Sequence, residues 1–207
     1  TVGRFHVHLA HVTDVIGRRS GVQSLSTVTC LILQTGTVFI TDSEVKLDPT
    51  DDEIAETTML AAEVLRRFGI TPKAALLSHS NFGTANSDSA RKMRRALGMI
   101  LQRDPEMEVE GEMRGDSAVA EAVRERLFPS SRLKGKANLL VMPTLDAANI
   151  ALTLLRHLAE GQIVGPILLG TAKPAHIVSP AVTVRGLINM TAVAAVEAQD
   201  RKVHGRA

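Results

Sequence analysis

The chain has 207 residues, 24 Lys and Arg against 22 Asp and Glu, and a single cysteine. This near balance excludes the basic footprint of a nucleic-acid binder. The lone Cys30 excludes an internal disulfide and fits a reducing cytosol, so a cytoplasmic location is expected. No apolar run reaches the ~18 residues of a membrane-spanning helix, no secretory signal is visible, and no membrane partner is expected. With no Trp, no Tyr and 5 Phe, the core has to be aliphatic, which suits helices laid on a parallel sheet. The length fits one to two domains. Because it opens on Thr1 rather than Met, the chain is expected to be a processed product or an excised fragment.

In chain order, TVGRFHVHLAHVTDVI reads as a helix. Ser26 to Gln34 and Thr37 to Thr41 are β-rich runs joined at Gly36, an antiparallel hairpin expected at the sheet edge. TDSEVKLDPTDDE is a polar loop, after which Thr50 caps a helix with Glu53 three places on, as in a capping box. Ile54, Thr58, Ala61, Ala62 and Leu65 line its inner face, and Gly69 stops it. Lys73 to Ser78 is a short buried strand, Ser87 to Gln102 a helix and MEVEGEM a brief strand. GDSAVAEAVRERLF reads as one helix capped by Asp116. Asn138 to Pro143 is a strand, LDAANIALTLLRHLAEG a long helix, IVGPILLG a strand, HIVS another, and Val184 to Asp200 the last helix. The basic tail RKVHGRA is expected to fray. Strand and helix in turn predict an α/β/α sandwich whose sheet is mostly parallel.

Walker, GxGxxG, HExxH, GxSxG and CxxC signatures are all missing, which removes most reaction classes legible in one chain. Four stretches remain. In HVHLAH, His6 and His8 share a face on a strand, His8 and His11 on a helix. Imidazole pairs bind zinc or nickel, but no carboxylate or thiol accompanies them, so surface histidines are the favoured reading. In SHSNFGTANSDSARK, a strand ends in a Ser/Asn/Gly loop that opens a helix, a seat for phosphate or carboxylate. Ordinary turn chemistry has the same composition. The basic residues Arg91, Lys92, Arg94 and Arg95 that follow read as a solvated helix face. Glu110, Glu112 and Asp116 could hold a metal or do acid–base work; capping by Asp116 and pairing of the glutamates with Arg114 or Arg132 is the favoured structural reading. Finally, IVGPILLG delivers GTAKPAHIVSP to the carboxyl rim, where open α/β folds hold ligands. Lys173 there offers a cation and Ser179 a hydroxyl, between Pro174 and Pro180; a rigid connection fits equally.

Taken together, FGITPKAALLSHSNFG, EVEGEMRGDSAVAE, FPSSRLKGKANLLVMPTLDAANIA, VGPILLGTAKPAHIV and INMTAVAAVEAQ resemble the phosphotransacetylase (phosphate acetyltransferase) family from about Ser26 to Gln199. SHSNFG, LDAANIA and GPILLGTAKPAHIV with INMTA look like the C-terminal phosphotransacetylase-like region of hybrid NADP-dependent malic enzymes. The resemblance implies a two-domain α/β/α architecture with its first domain incomplete. Residues 1–25 would be a remnant of that domain, 26–165 the inserted second domain and 166–207 the return into the first. It implies a homo-oligomer, acetyl-CoA or acetyl phosphate as the small-molecule partner, and NADP with a divalent metal only in an upstream region. The family carries a DLSRG-like turn and then an aspartate. Its serine falls on Ser179, its arginine on Pro180 and its aspartate on Gly186, while Arg185 adds an unmatched cation. Without the aspartate a thiol near pKa 8.5 stays mostly protonated. Without the guanidinium, charge stabilisation of typically ~3 kcal/mol is lost. The expectation is therefore a domain without turnover, catalytic residues none, that binds acetyl-CoA as an effector. Its ligand contacts would be Ser179, Lys173, Ser80, Asn81 and Gly83. Two competing expectations are a catalytic phosphate acetyltransferase in which Arg185 replaces the lost arginine, and a purely structural oligomerisation domain.

Overall fold

The computed structural model describes residues 4–204, with side chains to residue 200. Helix α1 spans Phe5–Val15, and α2 Asp51–Arg67 follows the hairpin of β1 (Ser26–Leu33) and β2 (Gly36–Thr41). Next come β3 (Lys73–Leu77), α3 (Asp88–Arg103), β4 (Glu108–Met113), α4 (Gly115–Val119), α5 (Glu121–Leu127) and β5 (Leu139–Val141). Helix α6 (Leu145–Leu158), β6 (Gln162–Leu169) and α7 (Val184–His204) complete the chain. Residues 1–3 of the expected first helix and 205–207 of the expected frayed tail lie outside the described residues; residues 201–204 continue α7.

The six strands form one sheet in the order β4-β3-β5-β2-β1-β6. Pairings β2 with β5, β5 with β3 and β3 with β4 are parallel, whereas β1 runs antiparallel to both of its neighbours, so β1 alone is reversed. The hairpin is thus not at an edge. β6 pairs along β1 and takes the outer position, which satisfies the backbone groups an edge hairpin would leave bare.

Side-chain alternation along the strands sorts the core into two faces. Phe39, Leu76, Val109, Leu139 and Ile167 meet Ile54 and Leu65 of α2, Met93 and Ile100 of α3, and Met190 and Val193 of α7. Their sequence neighbours Ile40, Ala75 and Leu140 turn the other way, against Ala118 of α4 and Ala148 and Leu152 of α6. On that second face, beside β6, Leu168 and Ile177 pack on Phe5, Leu9 and Val12 of α1. Helices on both faces of a mostly parallel sheet make the expected α/β/α sandwich.

Local chemistry accounts for most boundaries. Glu53 N–H donates to Thr50 Oγ1 at 3.3 Å and Thr50 N–H to Glu53 Oε2 at 2.9 Å, the anticipated capping box of α2. Ser87 Oγ accepts from Ala90 N–H and starts α3. Two expectations fail. GDSAVAEAVRERLF is two short helices, broken at an extended Ala120 (φ −118, ψ 98). Asp116 is not the cap; Arg114 holds that position, and the Asp116 carboxylate accepts from Ser117 N–H. The break follows from Arg124, wholly buried, whose guanidinium takes the carbonyls of Ser117, Leu133 and Gly135 and so diverts Ser117 from a continuing helix. HIVS is likewise not a strand. Leu168 N–H of β6 donates to the His176 ring instead of to a neighbouring backbone.

Candidate functional site

The sheet is irregular at one place on its β6 edge. Val28 faces Ile167 and Cys30 faces Val164, so Gly165 and Pro166 together oppose Thr29. Proline is tolerated at such a bulge because no ladder donor is needed there. Gly165 sits at φ 145, and a Cβ on it would come within 3.2 Å of the Thr29 Cα, so only glycine lets β1 approach this closely.

Past Leu169 the chain leaves the sheet and returns alongside β6. Leu168 N–H donates to His176 Nδ1 at 3.1 Å, and the other ring nitrogen, Nε2, lies 3.3 Å from Glu197 Oε2 of α7. Glu197 is buried and accepts from Arg67 Nη1 of α2 at 2.8 Å. This chain of contacts ties the returning segment to α7 and α2. Between the segment and the bulge lies a cavity of about 270 Å³. Ile163, Gly165, Pro166, Ile177 and Phe5 give it an apolar lining, and Ser179, Pro180, Thr183 and Gly186 form another wall. Its charged or titratable lining residues are His8, Glu44 and Arg156.

Glu44 owes its place to the turn after β2. Asp42, buried and in the left-handed region at φ 43, accepts through Oδ1 from Thr27 N–H, Thr27 Oγ1 and Val45 N–H. Burial raises the proton affinity of Asp42 despite those bonds. The Glu44 carboxyl is raised too, first by its own burial and then by the neighbouring Asp42 charge. On the opposite face of β1, burial pushes the Cys30 thiol up to about 11. Thr183 Oγ1 accepts from Gly186 N–H at 3.0 Å and caps the start of α7. A Cβ at Gly186 would lie 2.9 Å from Val182 Cγ2, so no larger residue fits without moving that wall.

Of the five anticipated ligand contacts, the cavity contains Ser179. Lys173 is exposed on the loop beyond β6 and does not line it. Ser80, Asn81 and Gly83 follow β3, four strands away along the sheet order, roughly 19 Å at ~4.8 Å per strand. There Ser80 Oγ donates to Glu112 Oε1 at 2.7 Å, Gly83 N–H to the same oxygen at 3.0 Å, and Asn81 Oδ1 accepts from Arg114 N–H and Ser117 Oγ. Glu112 is fully buried and pairs with Arg94 at 2.9 Å rather than with Arg114 or Arg132, while Glu110 accepts from Arg132 N–H. The basic stretch of α3 is not merely solvated: Lys92 pairs with Asp48, Arg95 with Asp51 and Arg91 with Asp88. His8 and His11 stack edge to face on α1 with centroids 6.2 Å apart. Among the described residues no group of three or more His, Cys, Asp or Glu could hold a metal ion. Glu44 and Arg156 are cavity residues that sequence reading passed over. They come from a polar loop and an amphipathic helix with nothing in their spacing to link them.

Residues 1–195 match the phosphate acetyl/butaryl transferase family. The chain belongs to that family. It is 54% identical over 195 residues to the NAD-dependent malic enzyme of Rhizobium meliloti (strain 1021), covering 94% of this chain and 25% of that protein. It is 49% identical over 200 residues to the NADP-dependent malic enzyme of Escherichia coli (strain K12), covering 96% and 26%. The phosphate acetyltransferase of Helicobacter pylori (strain J99) is 30% identical over 187 residues, covering 90% and 36%. This chain therefore spans about a quarter of the malic enzymes it matches. Among solved structures, the EutD phosphotransacetylase from Staphylococcus aureus superposes with a TM-score of 0.85 at 28% identity, covering 90% of this chain and 58% of that one. A phosphotransacetylase from Streptococcus pyogenes gives 0.87 at 27% identity, covering 93% and 59%.

Within this phosphate acetyl/butaryl transferase fold, Ser179, Pro180 and Gly186, the three positions that the resemblance matches to the family's reacting residues, all border one cavity. Arg185 does not line it; its guanidinium is directed to Gln162 Oε1 at 3.5 Å. No described helix is long and apolar enough to cross a membrane.

Proposed function

We propose that this chain is the phosphotransacetylase-like regulatory region of a malic enzyme, binding acetyl-CoA as an effector without turning it over. The observation that carries this reading is the cavity wall of Ser179, Pro180 and Gly186. It keeps a hydroxyl to meet an acyl carbonyl, but has an imino acid and a glycine at the two motif positions where the family's guanidinium and carboxylate act, while Arg156 and Glu44 reach the cavity from other elements. A cavity of about 270 Å³ is at the small end of ligand sites and suits the acyl end of acetyl-CoA rather than its nucleotide. Ser179 is the proposed contact for that end. Lys173, Ser80, Asn81 and Gly83 lie elsewhere on the fold and are proposed contacts only for the distal part of so long a ligand. The competing reading, with Arg185 as the replacement cation, is disfavoured by that residue's position outside the cavity.

The identity to malic enzymes supports a parent protein that decarboxylates malate oxidatively. NADP, as in the E. coli relative, and a divalent metal would be bound in a region outside this chain. The relative from R. meliloti carries NAD in its name instead. We further propose that residues 1–25 and 166–207 belong to one domain and 26–165 to a second, that the assembly is a homo-oligomer in the cytoplasm, and that acetyl-CoA shifts it between two states of different affinity. Isothermal titration of acetyl-CoA into the intact protein and into Ser179→Ala tests the binding. Saturable heat that weakens in the variant supports it, and silence of the wild type at millimolar ligand overturns it.

A further inference from the structure

Glu44 and Arg156 reach the same cavity from the loop after β2 and from α6. Neither side chain has a hydrogen-bond or ion-pair partner among the described residues. An exposed guanidinium and a partly buried carboxyl on one cavity lined by Ser179 are thus available to a ligand. We propose that Arg156 and Glu44 are ligand contacts of this cavity: Arg156 receives a ligand oxyanion of the phosphoryl or carboxylate class, and Glu44 lies against the same ligand. The proposal rests on the cavity being the ligand site of the preceding section and names two contacts that the family motif does not supply.

The chemistry is consistent from both ends. Guanidinium presents paired donors that match phosphoryl or carboxylate oxygens and keeps its charge at every relevant pH. An ionised Glu44 would repel such a ligand, and burial with the Asp42 charge behind it raises the proton affinity of this carboxyl. Oxyanion binding is thereby linked to proton uptake. The titratable and charged groups that share the cavity lining with Glu44 are His8 from α1 and Arg156 from α6, and Asp42 and Lys46 lie on its own loop.

The test uses the intact protein and isothermal titration with inorganic phosphate, acetyl phosphate and acetyl-CoA, for wild type, Arg156→Gln and Glu44→Gln. Circular dichroism melts confirm that each variant is folded, which the exposed position of Arg156 favours. Arg156→Gln is expected to weaken acetyl phosphate binding about tenfold to a hundredfold, as for loss of a charged hydrogen bond. Glu44→Gln is expected to bind more tightly than wild type near about pH 8, where a carboxylate is ionised, and the difference is expected to shrink as pH falls. Phosphate itself titrates in this window, so the readout is the difference between wild type and Glu44→Gln, in which that contribution cancels. If acetyl phosphate binds and inorganic phosphate does not, the acyl group is part of what is recognised; if both bind alike, the site is a phosphate site. Wild-type binding of acetyl-CoA without either phosphate ligand, or unchanged affinity in Arg156→Gln, overturns this proposal and leaves the effector reading standing. Silence of the wild type toward all three ligands overturns both.

Discussion

Glu112 offers a direct reading of how the loop after β3 is held. Its carboxylate is fully buried, and one oxygen accepts from Ser80 Oγ at 2.7 Å, Arg94 Nη1 at 2.9 Å and Gly83 N–H at 3.0 Å. Its other oxygen is buried without a partner. Glu112→Ala removes the shared acceptor of three donors from two chain segments, the loop after β3 and α3. The two neutral donors cost about 1 kcal/mol each. Because Arg94 is about a third exposed, water screens the ion pair and its loss is limited to about 1 kcal/mol. The sum is about 3 kcal/mol, read as a fall in the urea midpoint at unchanged slope. Glu112→Gln keeps an acceptor oxygen in the same place and gives up only the charge, so about 1 kcal/mol is expected. Equal losses for Ala and Gln would refute the hydrogen-bond reasoning, as would a loss below ~0.5 kcal/mol for Ala, the scale of an ordinary surface change.

Further expectations rest on single contacts. Thr50→Ala removes the hydroxyl of the α2 capping box and is expected to cost about 1 kcal/mol, or roughly 2–4 °C of melting temperature for a domain of this size. Gly165→Ala puts a Cβ 3.2 Å from the β1 backbone at φ 145, and should cost about 2 kcal/mol in a denaturant melt. For Cys30, whose thiol rises from 9.0 to about 11 in the fold, the folded state prefers the neutral form. Stability from this residue is full below the unfolded thiol's pKa and is lost as pH rises through the folded value. Wild type should therefore lose stability relative to Cys30→Ala between about pH 9 and about pH 11, and the native thiol should ignore thiol reagents near neutral pH.

Periodicity and capping made most of the fold legible. Thr50 with Glu53, Ser87 before α3 and the alternation of Phe39 with Ile40 each encode a boundary or a face in neighbouring residues. What sequence misread was long-range competition for backbone groups. The hairpin looked like an edge because nothing in it announces that β6 will pair along β1. HIVS looked like a strand, but His176 satisfies the β6 donor with a side chain. GDSAVAEAVRERLF looked like one helix because Arg124 at helical spacing resembles a surface residue, and only burial reveals that it takes the Ser117 carbonyl. The cavity was half legible. Ser179, Pro180 and Gly186 are close in sequence and carried by a family motif. Glu44 and Arg156 meet it only through the layering of a loop and α6 on the same face of the sheet.

Binding without turnover is tested most directly by the rate of acetyl phosphate formation from acetyl-CoA and inorganic phosphate, measured on the intact protein. A rate at the uncatalysed background, unchanged in Ser179→Ala, is the predicted result. Robust formation that Ser179→Ala abolishes would contradict it and restore a working active site to this cavity.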